Sequence, residues 1–173
     1  MKLLNWVRFT WDLNLLPATE GNLPAHYKIN AASQEHENEV RSVLSRSFLL
    51  DPAWNPAIGE IMQTLQSWLD RVFVAEENIC LALRHGTRII GASVLCLEPE
   101  AENHLVPGPC ILMEYRNRGF GTHLLEASLK RMHKAGLTRA TGIARELSPV
   151  AKFLYPKYNG MAAPADVKVG LAA

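Results

Sequence analysis

The chain lacks the features that mark several large classes of protein. Cysteine is scarce, with three residues (Cys80, Cys96 and Cys110) among 173, which excludes a disulfide scaffold and predicts reduced thiols. No apolar run approaches the ~20 residues of a membrane span. Residues 1–16 lack the uninterrupted apolar stretch of a secretory signal peptide. We therefore expect a cytoplasmic protein with no membrane partner.

An excess of charge of one sign is also missing. The sequence has 18 basic and 17 acidic side chains, whereas a dedicated nucleic-acid binder normally carries a basic excess, so we expect no nucleic-acid partner. The six histidines and three cysteines show no His-Glu-x-x-His or Cys-x-x-Cys spacing, which predicts no metal site. A hydrophobic content of 48% excludes disorder, and the length fits one domain.

The order of elements predicted from residue 27 onward is β-α-α-β-β-β-α-β-α-β. Apolar residues recurring every three or four positions predict three helices, one beginning after Ser33, one over residues 58–73 and one over residues 119–136. A fourth helix is predicted to begin at Ser148-Pro149. Strands are predicted over residues 27–30, 79–84, 89–97, 104–106 with 110–113, 139–144 and 166–171. The strand after residue 104 should be irregular, because Pro107-Gly108-Pro109 breaks ladder bonding. The pattern predicts an α/β domain with a mostly antiparallel sheet and one βαβ unit.

The first 25 residues have a less clear pattern than the rest of the chain. We treat residues 1–25 as an N-terminal extension, either an additional edge strand around residues 7–11 or an arm that packs on a partner. Residues 26–173 form the main domain.

The segment over residues 110–122 carries the chemistry. A strand leads into a turn with Gly119 and Gly121, and a helix begins at once. The first N–H groups of a helix have no internal partner and, with the helix dipole, form an anion site. Arg116 and Arg118 add positive charge there. The pattern predicts a ligand with a pyrophosphate group.

Two common nucleotide-binding motifs do not fit this segment. A dinucleotide fingerprint needs a third glycine where Leu124 stands, and a P-loop needs a lysine that Gly121-Thr122-His123 lacks. What remains is Arg-x-x-Gly-x-Gly over residues 116–121. Its alternative interpretation is a glycine-rich turn with two solvated arginines. Downstream stands another pattern, Ser148-x-x-Ala151-x-x-Leu154-Tyr155.

These two patterns and the order of elements resemble the GNAT superfamily of acetyl-CoA-dependent N-acetyltransferases over about residues 27–159. The glycine-rich pattern is similar to motif A of that family. The pattern ending at Tyr155 is similar to its helix-α4 motif, usually Asn-x-x-Ala-x-x-Leu/Phe-Tyr. The resemblance implies an α/β (α+β) fold, the GNAT acyl-CoA N-acyltransferase fold, with a mostly antiparallel mixed sheet flanked by helices.

The resemblance also implies an activity, a co-substrate and a set of site residues. It implies transfer of an acetyl group from acetyl-CoA to a primary amine, on a small molecule or a peptide, by direct attack. The sheet is expected to splay beside its fourth strand, with the pantetheine arm in the gap. Tyr155 is implied as the general acid that protonates the leaving thiolate. The residues implied to bind the cofactor are Cys110, Ile111, Leu112, Met113, Arg116, Asn117, Arg118, Gly119, Phe120, Gly121, Thr122 and Ser148.

The sequence departs from the family pattern at two positions. Ser148 stands where asparagine is usual, which shortens any contact to the cofactor. Pro156 follows Tyr155, and residues before proline avoid the helical region, so we expect the phenol at a helix end. Tyr158 is the rival for the role of acid, with a half-buried structural aromatic as its alternative.

The residue patterns single out no general base. Glu114 is expected to be solvated. His104 lies better for the role but has a surface histidine as its default interpretation, and Glu98, Glu100 and Glu102 are typical of a solvated loop. Trp54 either lines the acceptor site or closes the edge of the core.

Other functions and assemblies stay open. One alternative is a non-catalytic acyl-CoA-binding sensor or scaffold with the same fold, and another is a phosphate-binding structural protein. After the fourth helix there is room for one strand where the family often has two. Either the N-terminal segment or a second subunit fills that place, so a homodimer is one possibility.

Overall fold

The computed structural model describes residues 5–18 and 21–165. The helices and strands, numbered in chain order, are β1 (Trp6–Asp12), β2 (Tyr27–Ala31), α1 (Glu37–Leu49), α2 (Ile58–Val72), β3 (Asn78–His85), β4 (Arg88–Cys96), β5 (Cys110–Ile111), α3 (Phe120–Lys134), β6 (Arg139–Arg145) and β7 (Met161–Ala165). The element types and order from β2 to β6 are those predicted.

The strands form two antiparallel sheets. The first has the order β2-β3-β4-β5, and the second has the order β6-β1-β7. Every residue of β4 from Ile89 to Leu95 is buried, because both α1 and α3 pack on this strand. Burial without alternation means that both faces of the strand are covered. Antiparallel sheets flanked by helices confirm the predicted fold class.

The N-terminal segment lies inside a sheet. Residues 7–11 are part of strand β1, but β1 lies between β6 and β7 rather than at an edge, so the predictions of an edge strand and of an arm are wrong. Phe9 stands opposite Gly142 of β6 and Ala162 of β7. The sequence leaves open whether the N-terminal segment or a second subunit adds a strand to the sheet. In the structure the N-terminal segment adds it. The division of the chain at residue 25 stays a prediction.

Three local predictions need correction, and one strand was not predicted. The predicted strand over residues 110–113 ends at Ile111, and β5 and β6 share no ladder in the described part of the chain, so the βαβ unit is not closed. The fourth helix is a short π-helical turn over Val150–Leu154. Strand β7 has no counterpart among the predicted strands, since alanines and Pro164 are poor strand formers. The predicted strand over residues 166–171 lies outside the described residues.

Two further properties concern the described residues. Within them, no helix combines the length and the apolar character that crossing a bilayer requires. All three cysteines are free thiols; Cys80 is buried, and Cys96 and Cys110 are half-buried.

Candidate functional site

The two sheets meet at one point and separate beyond it. The N–H of His104 donates to the carbonyl of Thr141 in β6 (2.9 Å), while the carbonyl of His104 accepts from the N–H of Cys96 in β4 (2.9 Å). Further along the chain, Cys110 and Ile111 pair with β4 on one side, and the described strands offer no ladder partner on the other. Strands β5 and β6 therefore share no hydrogen-bonded ladder in the described residues, and we call the region between them the gap.

His104 holds the closed end of this gap. Its side chain is fully buried, its Nδ1 accepts from the N–H of Thr141 (3.0 Å), and its Nε2 lies 2.9 Å from the carbonyl oxygen of Glu98. Because Nδ1 accepts, Nε2 carries the proton and donates to Glu98. Burial lowers the pKa of His104, which keeps the ring neutral. The surface location expected for His104 is wrong, and both ring nitrogens are engaged, so it is no free general base.

Tyr155 lies beside the open part of the gap. Its ring is 3% exposed, and its hydroxyl lies so close to Gly108 that a side chain at that position would overlap it. Gly108 is two residues before Cys110, the first residue of β5. Burial and the nearby Cys110 thiol raise the pKa of Tyr155, so the phenol is protonated at neutral pH.

The backbone before Tyr155 follows from its sequence, with one exception. Ser148 accepts the N–H of Ala151 at its Oγ (3.2 Å), which caps the short helical turn as predicted. The same hydroxyl donates to the carbonyl of Arg145 (2.7 Å). Tyr155 itself is helical (φ −68°, ψ −23°) although Pro156 follows it. Tyr155 is the C-cap of this turn, so the phenol stands at a helix end as predicted.

The start of α3 has the geometry of an anion site. Gly119 is the N-cap in the left-handed conformation (φ 81°), and Asn117 is also left-handed (φ 63°). Glycine adopts this conformation without a steric penalty. The N–H groups of Phe120, Gly121 and Thr122 belong to the first turn, where helices provide no internal acceptor. Gly121 faces Leu154, the residue before Tyr155, so this turn and the phenol are neighbours.

The two predicted cations of this turn have different surroundings. The Arg116 guanidinium donates from Nε to the carbonyl of Ile111 (2.9 Å) and from Nη2 to that of Ser47 (3.1 Å), and it lies 3.4 Å from the Asp51 carboxylate. Arg116 therefore ties β5 to the end of α1. Arg118 is exposed, donates to the carbonyl of Glu114 (3.0 Å) and lies over the Tyr115 ring.

The remaining candidates are placed elsewhere. Glu114 is exposed and pairs with Arg88 (3.2 Å), and Glu98, Glu100 and Glu102 are exposed, as expected. The Tyr158 hydroxyl donates to the carboxylate of Glu126 in α3 (3.0 Å). This contact agrees with the structural role that is the alternative for Tyr158. Trp54 packs on Trp6 and Phe48, so it closes the edge of the core. Met113 of the predicted pantetheine strand is exposed beyond the end of β5, whereas Leu112 is buried.

A cleft adjoins the gap from the side of α2. Its volume is about 320 Å³, and its lining includes Trp68, Glu77, Glu98, Glu102, Val94 and Val106. Val106 is two residues before Gly108, against which the Tyr155 hydroxyl lies. Across the ranges that the structure describes, no group of three His, Cys, Asp or Glu side chains is arranged to hold a metal ion.

Several residues that build this site are not apparent from the sequence. The sequence presents Gly108 only as a strand breaker, not as the contact of the phenol, and Asp51 only as a loop residue. Phe9 and Trp11 fall in the predicted extension, yet both contact the Tyr155 ring. The Pro-Gly-Pro sequence is the available signal for Gly108. No local signal connects residues 9 and 11 with residue 155.

Comparisons with known proteins agree with this geometry. The profile of the acetyltransferase (GNAT) family matches residues 39–161. The fold is similar to a GCN5-related N-acetyltransferase from Sphaerobacter thermophilus (TM-score 0.61, 11% identity, 94% of this chain and 50% of that chain). It is also similar to a GNAT-family protein from Novosphingobium aromaticivorans (TM-score 0.60, 17% identity, 94% of this chain and 61% of that chain). A Drosophila protein is similar as well (TM-score 0.65, 13% identity, 93% of this chain and 48% of that chain).

Two further findings describe the extent of these similarities. The chain spans about half the length of the solved structures that it matches. No curated protein sequence is significantly similar to it.

Proposed function

Because the chain belongs to the GNAT family of acetyltransferases, we propose that it transfers the acetyl group of acetyl-CoA to a primary amine. The acceptor ammonium first loses one proton to water, and the neutral amine then attacks the thioester carbonyl directly, so that a C–N bond forms and the C–S bond breaks. The leaving thiolate takes the proton of the Tyr155 hydroxyl, and the proton lost by the amine restores the phenol. The acceptor is a small molecule or a peptide.

One observation carries this proposal, the position and protonation of Tyr155. Its hydroxyl lies at Gly108, where the two sheets separate beside β5. The raised pKa of Tyr155 means that the phenol holds its proton at neutral pH and has one to give to the leaving thiolate.

The turn before α3 supports the binding of CoA. We propose that the N–H groups of Phe120, Gly121 and Thr122 hold the pyrophosphate, with Asn117 and Gly119 shaping the turn. Arg118 is the nearby exposed cation, whereas the Arg116 guanidinium holds β5 and α1 together. The role of Arg116 toward the cofactor is thus to fix the turn. We propose that Cys110, Ile111, Leu112 and Met113 border the pantetheine arm and that Ser148 caps the turn that carries Tyr155.

The cleft beside α2 supports an amine as the acceptor. A primary amine is an ammonium ion at neutral pH. The residues that line the cleft include three acidic ones, Glu77, Glu98 and Glu102, and one basic one, Arg71. This excess of negative charge attracts such an ion. Val106 brings the inner wall of the cleft within two residues of Gly108.

The test measures binding and turnover separately. Binding of CoA and acetyl-CoA is followed by calorimetry with the full chain. Release of the CoA thiol is then followed with tyramine, spermidine and a lysine-containing peptide as acceptors. We expect binding of both thioester and thiol, amine-dependent thiol release, and a loss of about 100-fold in kcat for Tyr155→Phe.

The outcomes separate the alternatives. Binding without amine-dependent release would leave a non-catalytic acyl-CoA sensor or scaffold. No binding of CoA would exclude both functions. Full kcat in Tyr155→Phe would remove this residue as the acid while leaving the transferase activity in place.

A further inference from the structure

The ring of Tyr155 has no long helix to hold it. The turn that precedes it, Val150–Leu154, has five residues, and a helix this short has little stability of its own. Residues Tyr158 and Asn159, just after it, are both left-handed (φ 58° and 62°). The orientation of the phenol must therefore come from what packs on it.

Strand β1 provides those contacts. Phe9 and Trp11 are two positions apart, so they point to the same face of the strand. Both rings meet the Tyr155 ring edge to face, at centroid distances of 5.6 and 5.1 Å. Such pairs have a preferred geometry, so they orient the ring and do not merely bury it.

Trp11 makes a further contact, with the backbone after Tyr155. Its Nε1–H donates to the carbonyl of Lys157 (3.0 Å). A side chain at Gly160 would overlap the carbonyl of Tyr155 and come within 2.7 Å of the same Nε1. The indole, which is fully buried, thus touches the phenol on one side and fixes the turn that follows it on the other.

We propose that Trp11 is the positioning residue for Tyr155. This proposal rests on the proposed role of Tyr155 as the acid. The edge contact sets the plane of the phenol, and the hydrogen bond to Lys157 sets the backbone from which the phenol projects. Together they place the hydroxyl at Gly108. The N-terminal strand is then part of the catalytic apparatus, although Trp11 lies 144 positions from Tyr155 in the chain.

The experiment is a double-mutant cycle with Trp11→Phe and Tyr155→Phe. Trp11→Phe keeps an aromatic ring and removes the N–H donor. We expect kcat to fall about tenfold, because a small misplacement of a reacting group has a large cost. We expect the KM for acetyl-CoA to stay within about twofold, because the anion site at α3 is separate. In the Tyr155→Phe background, Trp11→Phe should not change kcat further.

A matched control comes from the same strand. Trp6 is also a buried tryptophan of β1, but its ring stacks on Trp54 and not on Tyr155. Trp6→Phe should keep the wild-type kcat. The acceptor for all variants is whichever of tyramine, spermidine and the lysine peptide gives the highest rate.

Each result has one meaning. Equal effects of Trp11→Phe in both backgrounds would indicate a general structural role and overturn the proposal, as would wild-type kcat in Trp11→Phe. Full kcat in Tyr155→Phe would instead show that Tyr155 is not the general acid, and the proposed positioning role of Trp11 would then fail as well. Should Trp11→Phe not fold, Trp11→Met, which fills part of the same space without the N–H donor, is taken through the same cycle with the same expectation.

Discussion

The hydroxyl of Tyr155 lies directly against the Cα of Gly108, at the point where the sheet formed by β2–β5 parts from the sheet that contains β6. Any side chain at position 108 would occupy the space of that hydroxyl. The glycine between two prolines therefore has a purpose beyond interrupting a strand, since it leaves room for a buried phenol.

The first prediction follows from this contact. Gly108→Ala should displace the Tyr155 hydroxyl, lowering kcat at least tenfold and the free energy of unfolding by about 1–3 kcal/mol through overpacking. Kinetics of thiol release and urea denaturation measure the two effects. Gly59→Ala is the control, since a methyl group at that position of α2 would meet no neighbour within 4 Å. Wild-type kcat in Gly108→Ala would show that the hydroxyl need not lie where it does.

The second prediction separates the two arginines of the glycine-rich turn. Arg116→Gln should lower the free energy of unfolding by about 1–3 kcal/mol, because the carbonyls of Ile111 and Ser47 lose their charged donor. Arg118→Gln should leave stability nearly unchanged and weaken CoA binding several-fold. Urea denaturation and calorimetry with CoA distinguish the two. A loss of stability in Arg118→Gln together with weaker CoA binding but unchanged stability in Arg116→Gln would contradict these roles.

The third prediction concerns stability in acid. Burial lowers the pKa of His104, so below about pH 6.5 the unfolded chain takes up a proton that the folded chain does not. The stabilisation is therefore present above pH 6.5 and is lost as the pH falls. His104→Leu should cost about 1–3 kcal/mol at pH 7.5 by removing the acceptor of the Thr141 N–H and one of the two donors to the Glu98 carbonyl, which keeps the Ala101 N–H. The substitution should also weaken this acid dependence.

Chemical denaturation at pH 7.5, 6.0 and 5.0 measures both effects. His133→Gln, at an exposed position of α3, is the control and should keep the wild-type profile. An unchanged acid dependence in His104→Leu would mean that another group is responsible.

The fourth prediction concerns stability in alkali. Burial raises the pKa of the Cys80 thiol to about 12, whereas an unfolded thiol titrates near ~8.5. Above that pH the unfolded chain loses a proton that the folded chain keeps, so stability falls as the pH rises toward 12. The slope is about 1.4 kcal/mol per pH unit for this thiol.

Cys80→Ala should remove that part of the slope between pH 8.5 and 10.5, as measured by urea denaturation. Cys96→Ala, at a half-buried thiol, should remove less. Equal slopes in the wild type and Cys80→Ala would contradict the prediction. Comparing slopes, rather than stabilities at one pH, cancels the cost of the deleted thiol.

The helices could be predicted because their information is local. Val40, Val43, Leu44 and Phe48 recur at helical spacing, and all four are buried where α1 packs on β4. Gly119 and Gly136 mark the two ends of α3, and both have the positive φ that glycine permits. Ser148 caps a helical turn, as its residue type predicts.

The strand partners could not be predicted in the same way. The residues of β1 have the alternation of a strand, but nothing in them indicates that β6 and β7 lie on either side. Strand β7 contains alanines and a proline, so its pairing depends on β1 being present. The roles of Arg116 and His104 were also hidden, because their partners at Ser47 and Thr141 are 69 and 37 positions away.

The sequence by itself determined the family, the fold class and the glycine-rich turn before α3, and it led to the proposals that this turn binds an anion and that Tyr155 is the acid. These features depend on short patterns whose physics is local: helical spacing, glycine at positive φ and free N–H groups at a helix start. The tertiary structure alone decided which charges are available at the turn, that His104 is neutral and buried, and that Phe9 and Trp11 hold Tyr155. Those depend on contacts between distant segments, which arise only when the chain has folded and its polar groups have found their partners.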